Sequence, residues 1–223
     1  MQLADALKDS RIFQNLSAEQ LETALGAARA REAVFARGET LAIAGAELRA
    51  FFCLFSGSVQ GVRYQANGDA DLVQLFLPGE IIGLDIAGSS TKRCPFWLIA
   101  IEPSRGVYVD FDTLFSPELP QEIAAALGQN VIRALANDSI RRLHKIDVLY
   151  RKGLRARITV YLRHMSIMNG SREFSINMDR EQLSQYLGVN RSALSHELSQ
   201  MRKEGLIDFH KNRFAVLSDE IAG

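Results

Sequence analysis

The stretch Asp179 to Leu206, DREQLSQYLGVNRSALSHELSQMRKEGL, most restricts what this chain can become. It predicts two short helices joined by a tight turn. Asp179 is placed to cap the first, with Gln182 as its capping-box partner. Leu183 and Leu187 form that helix's apolar stripe, and Gly188 stands where the chain must turn. Asn190 is placed to cap the second helix, whose inner face is Leu194, Leu198 and Met201. Arg191, Ser192, Ser195, His196 and Ser199 are left facing outward. These small polar groups and one fixed cation suit a major groove, where they can bond base edges or phosphates. Ser184, Gly188 and Leu194 stand at the spacing of a helix-turn-helix, although any two packed helices share part of that pattern.

A chain of 223 residues can hold one large or two modest domains. Its formal net charge is zero, which excludes coating nucleic acid by bulk charge. The distribution says more. Residues 1–117 carry 10 Lys and Arg against 14 Asp and Glu, about −4; residues 147–223 carry 12 against 9, about +3. The basic surplus therefore lies with the helix-turn-helix, as expected of a nucleic-acid-binding module attached to a sensor. Two cysteines, Cys53 and Cys94, make neither a disulfide framework nor a zinc motif, and they exclude a four-thiolate iron–sulfur cluster within one chain. MQLADALKDSRIF has no signal-sequence pattern, and no window approaches 18 uninterrupted apolar residues. A cytoplasmic protein without a membrane partner is expected. No nucleophile–base arrangement, phosphate loop or metal-ligand spacing points to an enzyme.

In chain order, residues 3–30 read as amphipathic helix. Ser17 and Gln20 form a second capping box, and Leu21, Leu25 and Ala28 share one face. From Ala33 to Phe115, runs rich in Val, Ile, Phe and Tyr (AVFA, TLAIA, AFFCLF, SVQGVRY, DLVQLFL, EIIGL, FWLIAI, GVYVDF) are broken by glycine every ten residues or so, including an Asn67-Gly68 hairpin signal. This predicts an antiparallel jelly roll, whose interior either holds a small ligand or is filled by side chains. PELPQEIAAALGQNVIRALANDSIRRLHK, from Pro117 to Lys145, reads as one long helix. Its seam of Ile123, Leu127, Val131, Ala134 and Leu135 is read as a coiled-coil-like homodimer contact, the alternative being a helix packed along its own roll. A hinge is expected at Asp147 to Arg151. An amphipathic helix with Ile158, Tyr161, Leu162 and Met165 inward follows, and LIDFHKNRFAVL folds into a small wing around Lys211-Asn212. The fold class is α+β: a sensor roll over 1–116, a dimerisation helix over 117–146 and a winged helix-turn-helix over 147–223.

With these elements in this order, and with LGVNRSALSHELSQMRKEGLI and the wing HKNRFAVL carrying it most specifically, the chain resembles the Crp/Fnr family of bacterial transcription regulators over essentially its whole length. The resemblance implies a homodimer on a palindromic double-stranded DNA operator, with recognition helices entering grooves about 34 Å apart. It implies control by an effector in the roll, and RNA polymerase as a further partner if the protein activates.

Three departures stand out. Arg191 matches the family's first groove-facing arginine, but Ser192 stands where glutamate is common and His196 where arginine is common. Base readout should therefore differ, with Gln182, Asn190, Ser195 and Ser199 as further DNA contacts and Lys211 and Arg213 on the wing. The alternative is that Arg191, Gln182, Lys211 and Arg213 mostly hold phosphates. Next, the cyclic-nucleotide members carry a glutamate after a turn glycine and later an arginine for the phosphate. Here Leu84 follows Gly83, and Cys94-Pro95-Phe96-Trp97 stands where the arginine belongs, with Arg93 close by. Cyclic AMP is therefore not expected. The site is read as apolar, formed by Ile82, Gly83, Leu84, Cys94, Phe96 and Trp97: either an apolar effector binds there or the interior is filled. Last, residues 33–115 contain no histidine, so haem is not expected. Cys94, beside Lys92 and Arg93, is the better candidate for a redox switch, and His144 and His164 are taken as surface or hinge residues. The alternative to an effector-controlled regulator is a ligand-binding or redox-sensing roll whose effector site is vestigial and whose DNA binding is constitutive.

Overall fold

The computed structural model describes Leu7, residues 10–176 and residues 178–222. The N-terminal part of the expected 3–30 helical region, apart from Leu7, lies outside them. The chain divides into two compact units, Met1–Asn137 and Asp138–Gly223.

In the first unit, α1 (Ala18–Ala27) opens on the expected capping box: Ser17 Oγ accepts from Gln20 N at 3.2 Å, and Gln20 Oε1 accepts from Ser17 N at 2.9 Å. Eight strands follow: β1 (Arg31–Phe35), β2 (Thr40–Ala42), β3 (Ala50–Ser56), β4 (Val59–Tyr64), β5 (Ala70–Phe76), β6 (Ile81–Ile82), β7 (Trp97–Ala100) and β8 (Ser104–Asp110). They form two four-stranded antiparallel sheets, ordered β1-β8-β3-β6 and β2-β7-β4-β5. The EIIGL run gives only the two residues of β6 before α2 (Leu84–Ala87).

Strand alternation sends neighbouring residues of β3 to different cores. Phe52 and Leu54 join Val59, Phe76, Ile82 and Leu98 in a cluster drawn from both sheets. Phe51 and Cys53 join Val107, Val109, α1 and the start of the long helix in another. That helix, α3 (Gln121–Tyr150), is 30 residues long. It begins after Pro120 rather than at Pro117. Proline disfavours helical backbone in the residue before it, and a short 3-10 turn at Asp112–Phe115 ends ahead of both prolines.

The structure corrects the reading of the α3 seam. Ile123, Leu127, Val131 and Ala134 are buried in the core of their own unit, with Leu135 packed against it. A different stripe is exposed: Ile132 at 70 % in the first unit, and Leu143 and Ile146 at 56 % and Tyr150 at 86 % in the second. The expected hinge moves too. Asp147 to Tyr150 stay helical, supported by an Asp147–Arg151 ion pair one turn apart. The chain leaves the helix at Arg151 to Gly153, where Gly153 has φ +86°, open to glycine at little cost.

The second unit continues with α4 (Leu154–Asn169), β9 (Glu173–Ser175), α5 (Arg180–Leu187), α6 (Arg191–Lys203), β10 (Ile207–His210), β11 (Arg213–Val216) and α7 (Asp219–Ala222). Ile158, Tyr161 and Leu162 are buried as expected, around Leu183, Leu187, Leu194, Leu198 and Met201. The wing hairpin gains a third strand that the sequence did not reveal. β9 pairs with β11, aligning Phe174 with Phe214.

Candidate nucleic-acid interface

The helix-turn-helix is built by its caps. Asp179 Oδ1 accepts from Gln182 N, and Gln182 Oε1 accepts from Asp179 N, both at 2.8 Å. Gln182 thus spends its carbonyl on the cap and keeps its amide to donate. At the turn Gly188 has φ +67°, and Val189 N donates back to Ser184 O at 3.0 Å. Asn190 Oδ1 accepts from Ala193 N at 2.8 Å, which starts α6. Its amide nitrogen is the group available to a DNA contact.

Arg191, Ser192, Ser195, His196 and Ser199 are exposed, while Leu194, Leu198 and Met201 on the opposite face are buried. Two hydroxyls donate within the chain: Ser192 Oγ to Asn190 Oδ1 at 2.9 Å and Ser199 Oγ to Ser195 O at 2.8 Å. What they offer outward is lone pairs. Such acceptors suit a cytosine or adenine amino group, whereas the Arg191 guanidinium donates to guanine or phosphate.

On the wing, Lys211 sits at the tip in left-handed backbone, φ +53°, and Arg213 pairs with Glu173 at 2.9 Å. Arg213 must exchange that carboxylate for a phosphate if it is to touch DNA. Arg180, which the sequence reading missed, links these parts. Its Nη2 donates to Lys211 O at 2.9 Å, and its guanidinium lies 5.2 Å from the Phe209 ring centroid and 5.4 Å from that of Phe214. Burial, and then the neighbouring charge of Arg191, hold Arg180 below the usual arginine range. The only early sign was an arginine directly after a cap, in a chain with a phenylalanine-bearing wing.

Arg155 fastens α4 to α6, bonding Glu197 at 2.6 Å and Glu204 through both terminal nitrogens at 2.7 and 2.9 Å. Those hydrogen bonds raise its proton affinity above the arginine norm. His144 and His164 are not separate surface residues: their rings stack at 4.2 Å, and His164 Nε2 lies 3.3 Å from Asp147 Oδ2.

In the roll, the residues of the expected effector site are only partly brought together. Ile82 and Cys94 are buried between the sheets, with Phe96 packed against them, and Leu84 is buried in the helix-facing core. Gly83 caps α2. Trp97 makes an edge contact with Tyr64 at 5.7 Å. Phe96 lies so near Gly61 that a Cβ there would fall 2.9 Å from its ring. The residues do not fit a cyclic nucleotide. Lys92 pairs with Asp112 at 2.6 Å and Arg93 donates to Gly45 O at 2.9 Å, so neither is turned to the missing phosphate arginine's task. Both cysteines are free and buried. Burial pushes the Cys53 thiol up to about 12 and raises that of Cys94, whose Sγ donates to Phe96 O at 3.0 Å. Burial thus disfavours the Cys94 thiolate, against the reactivity that its neighbours in sequence suggested.

Comparison with known proteins meets this geometry at the same place. The family model of the Crp-like helix-turn-helix domain matches residues 156–220. Over 190 residues the chain is 25 % identical to electron transport regulator A of Shewanella oneidensis, covering 82 % of this chain and 73 % of that protein. The second unit thus carries a Crp-like helix-turn-helix domain, and most of the chain is similar to Crp/Fnr-type regulators. The fumarate and nitrate reduction regulatory protein of Escherichia coli K12 is 26 % identical over 178 residues, covering 77 % of this chain and 68 % of that one. In fold, the chain matches the Thermus thermophilus catabolite activator protein at a TM-score of 0.52 and 21 % identity, covering 96 % and 98 % of the two chains. The protein is a Crp/Fnr-type DNA-binding transcription regulator. Among the described residues no helix is long and apolar enough to cross a membrane.

Proposed function

We propose that the chain acts as a cytoplasmic homodimer on a roughly palindromic operator, reading bases with α6 and holding phosphates with Arg180, Gln182 and the wing's Lys211 and Arg213. The observation that carries this reading is the division of α6, with Arg191, Ser192, Ser195, His196 and Ser199 exposed opposite a wholly buried Leu194, Leu198 and Met201. The second half of α3 supports dimerisation. Ser139, Leu143, Ile146 and Tyr150 are exposed at coiled-coil spacing, an apolar stripe of the kind that pairs helices. RNA polymerase is the further partner if the protein activates.

A second reading concerns control. The filling of the roll's interior by Ile82, Cys94, Phe96 and Leu98 favours DNA binding that needs no ligand at the family's usual place. Gel-shift binding to genomic fragments tests the first reading. It expects sequence-dependent retention that falls steeply with salt. Retention of no fragment, with or without cell extract as an effector source, would overturn it. Leu143→Asp should convert a dimer to a monomer in sedimentation, and an unchanged dimer would remove α3 from the interface.

A further inference from the structure

We propose that a cleft at one end of the β1-β8-β3 sheet binds a small organic anion of single negative charge with an apolar body. The cleft measures about 520 Å³, and none of the residues of the expected effector site lines it. That volume is within the range of small-molecule sites.

Sheet register assembles it. Arg31 is paired with Tyr108 across β1 and β8, and Ala50 with Asp110 across β3 and β8. Three arginines line the resulting cleft: Arg29, Arg31 and Arg49. They stand in a region, residues 1–117, that is acidic as a whole. Each is held differently. Arg31 lies over the Tyr108 ring, 4.6 Å from its centroid. Arg49 pairs with Glu47 at 2.8 Å. Arg29 has φ +47°, left-handed backbone that glycine would adopt at lower cost. Arginine stands there in spite of that cost, and it lines the cleft. Among the described residues neither Arg29 nor Arg31 is in an ion pair.

Charge and shape select the ligand. Three arginines against Glu47 and Asp110 leave one positive charge, 3 − 2 = +1, which matches one negative charge. The planar fork of a guanidinium suits a carboxylate. Leu41 and Leu48 supply apolar wall, and Tyr108 is half-buried against the inter-sheet core. A monocarboxylate with an aliphatic or aromatic body satisfies all three; inorganic phosphate lacks the body and a neutral alcohol lacks the charge. Leu48 also reaches the Gly83 turn, whose Cβ position lies 3.6 Å from Leu48 Cδ1, so an occupant would touch the segment where the family's effector turn stands.

Isothermal titration of the full-length protein with octanoate and with benzoate tests this, with inorganic phosphate and octanol as comparison probes. No DNA is present, so the outcome is separate from that of operator binding. The expected result is saturable binding of at least one monocarboxylate to one site per chain, weakened about tenfold or more by Arg31→Gln. Arg63→Gln, which removes the same charge from the exposed part of β4, should leave affinity unchanged. Arg29→Gly should lose affinity while its melting temperature holds or rises, which separates ligand contact from backbone strain. The proposal is overturned if neither acid binds more tightly than millimolar. It is equally overturned if phosphate or octanol binds as well as the acids, or if Arg63→Gln weakens binding as much as Arg31→Gln.

Discussion

On α6 the side chains that look away from the core are Arg191, Ser195 and His196, all exposed. Between the sheets of the roll stand Phe52, Phe76 and Leu98, all buried. A face meant for a macromolecule must stay wet and polar until it is covered, so its chemistry survives in sequence as a pattern of outward polar residues. An interior meant for a small ligand needs only a few charged anchors. With Ile82, Cys94 and Phe96 packed between the sheets instead, that space is filled. The second unit therefore declares what it binds, whereas the roll declares chiefly how it is held together.

The largest effect should come from breaking the filled interior. Phe52 packs against Phe35 at 5.7 Å and Tyr108 at 4.8 Å. Phe52→Ala should cost the roll about 3–5 kcal/mol in urea unfolding. A loss below about 1 kcal/mol would mean that the interior is looser than described. On the other side of the comparison, Arg191→Ala should weaken operator binding by about 1–3 kcal/mol and relax base preference at one position, with melting unchanged. Asn190→Ala removes the cap of α6 and should cost about 1 kcal/mol of stability in the second unit. Lys211→Ala should act most gently, lowering affinity evenly across sequences and reducing the salt slope by about one.

The second unit also carries a pH dependence. Burial, and then His144, lower the proton affinity of His164 from its ordinary 6.5; Asp147 opposes this, while Arg151 and Arg163 add to it. The unfolded chain therefore takes up this proton first as pH falls. Stability is full above about 6.5 and is lost as pH drops through the lower folded value. Urea melting between about pH 7.5 and 5 should show that fall, and His164→Asn should flatten it.

Much of this was legible. Glycine punctuation located all eight strands of the roll, and the caps at Asp179 and Asn190 located both helices of the DNA-binding motif. The α3 seam was misassigned because a long helix carries two apolar stripes. Sequence alone does not tell which stripe the chain's own sheet covers: Leu127 and Val131 are covered, whereas Leu143 and Ile146 are not. β9 escaped because three residues are too few to show alternation. Arg180 and the His144–His164 stack escaped because their partners are distant in sequence and meet only in the folded unit. Where polar groups serve local hydrogen bonds, as in the capping boxes, spacing was enough.

The most direct test is selection of binding sites from randomised duplex DNA with the full-length wild-type protein and with Arg191→Ala. The account predicts that the wild type enriches a two-fold symmetric motif with half-sites about one helical turn apart, and that Arg191→Ala loses one conserved base in each half. Enrichment of no motif by the wild type, or of an identical motif by both proteins, would contradict the assignment of α6 as the element that reads the operator.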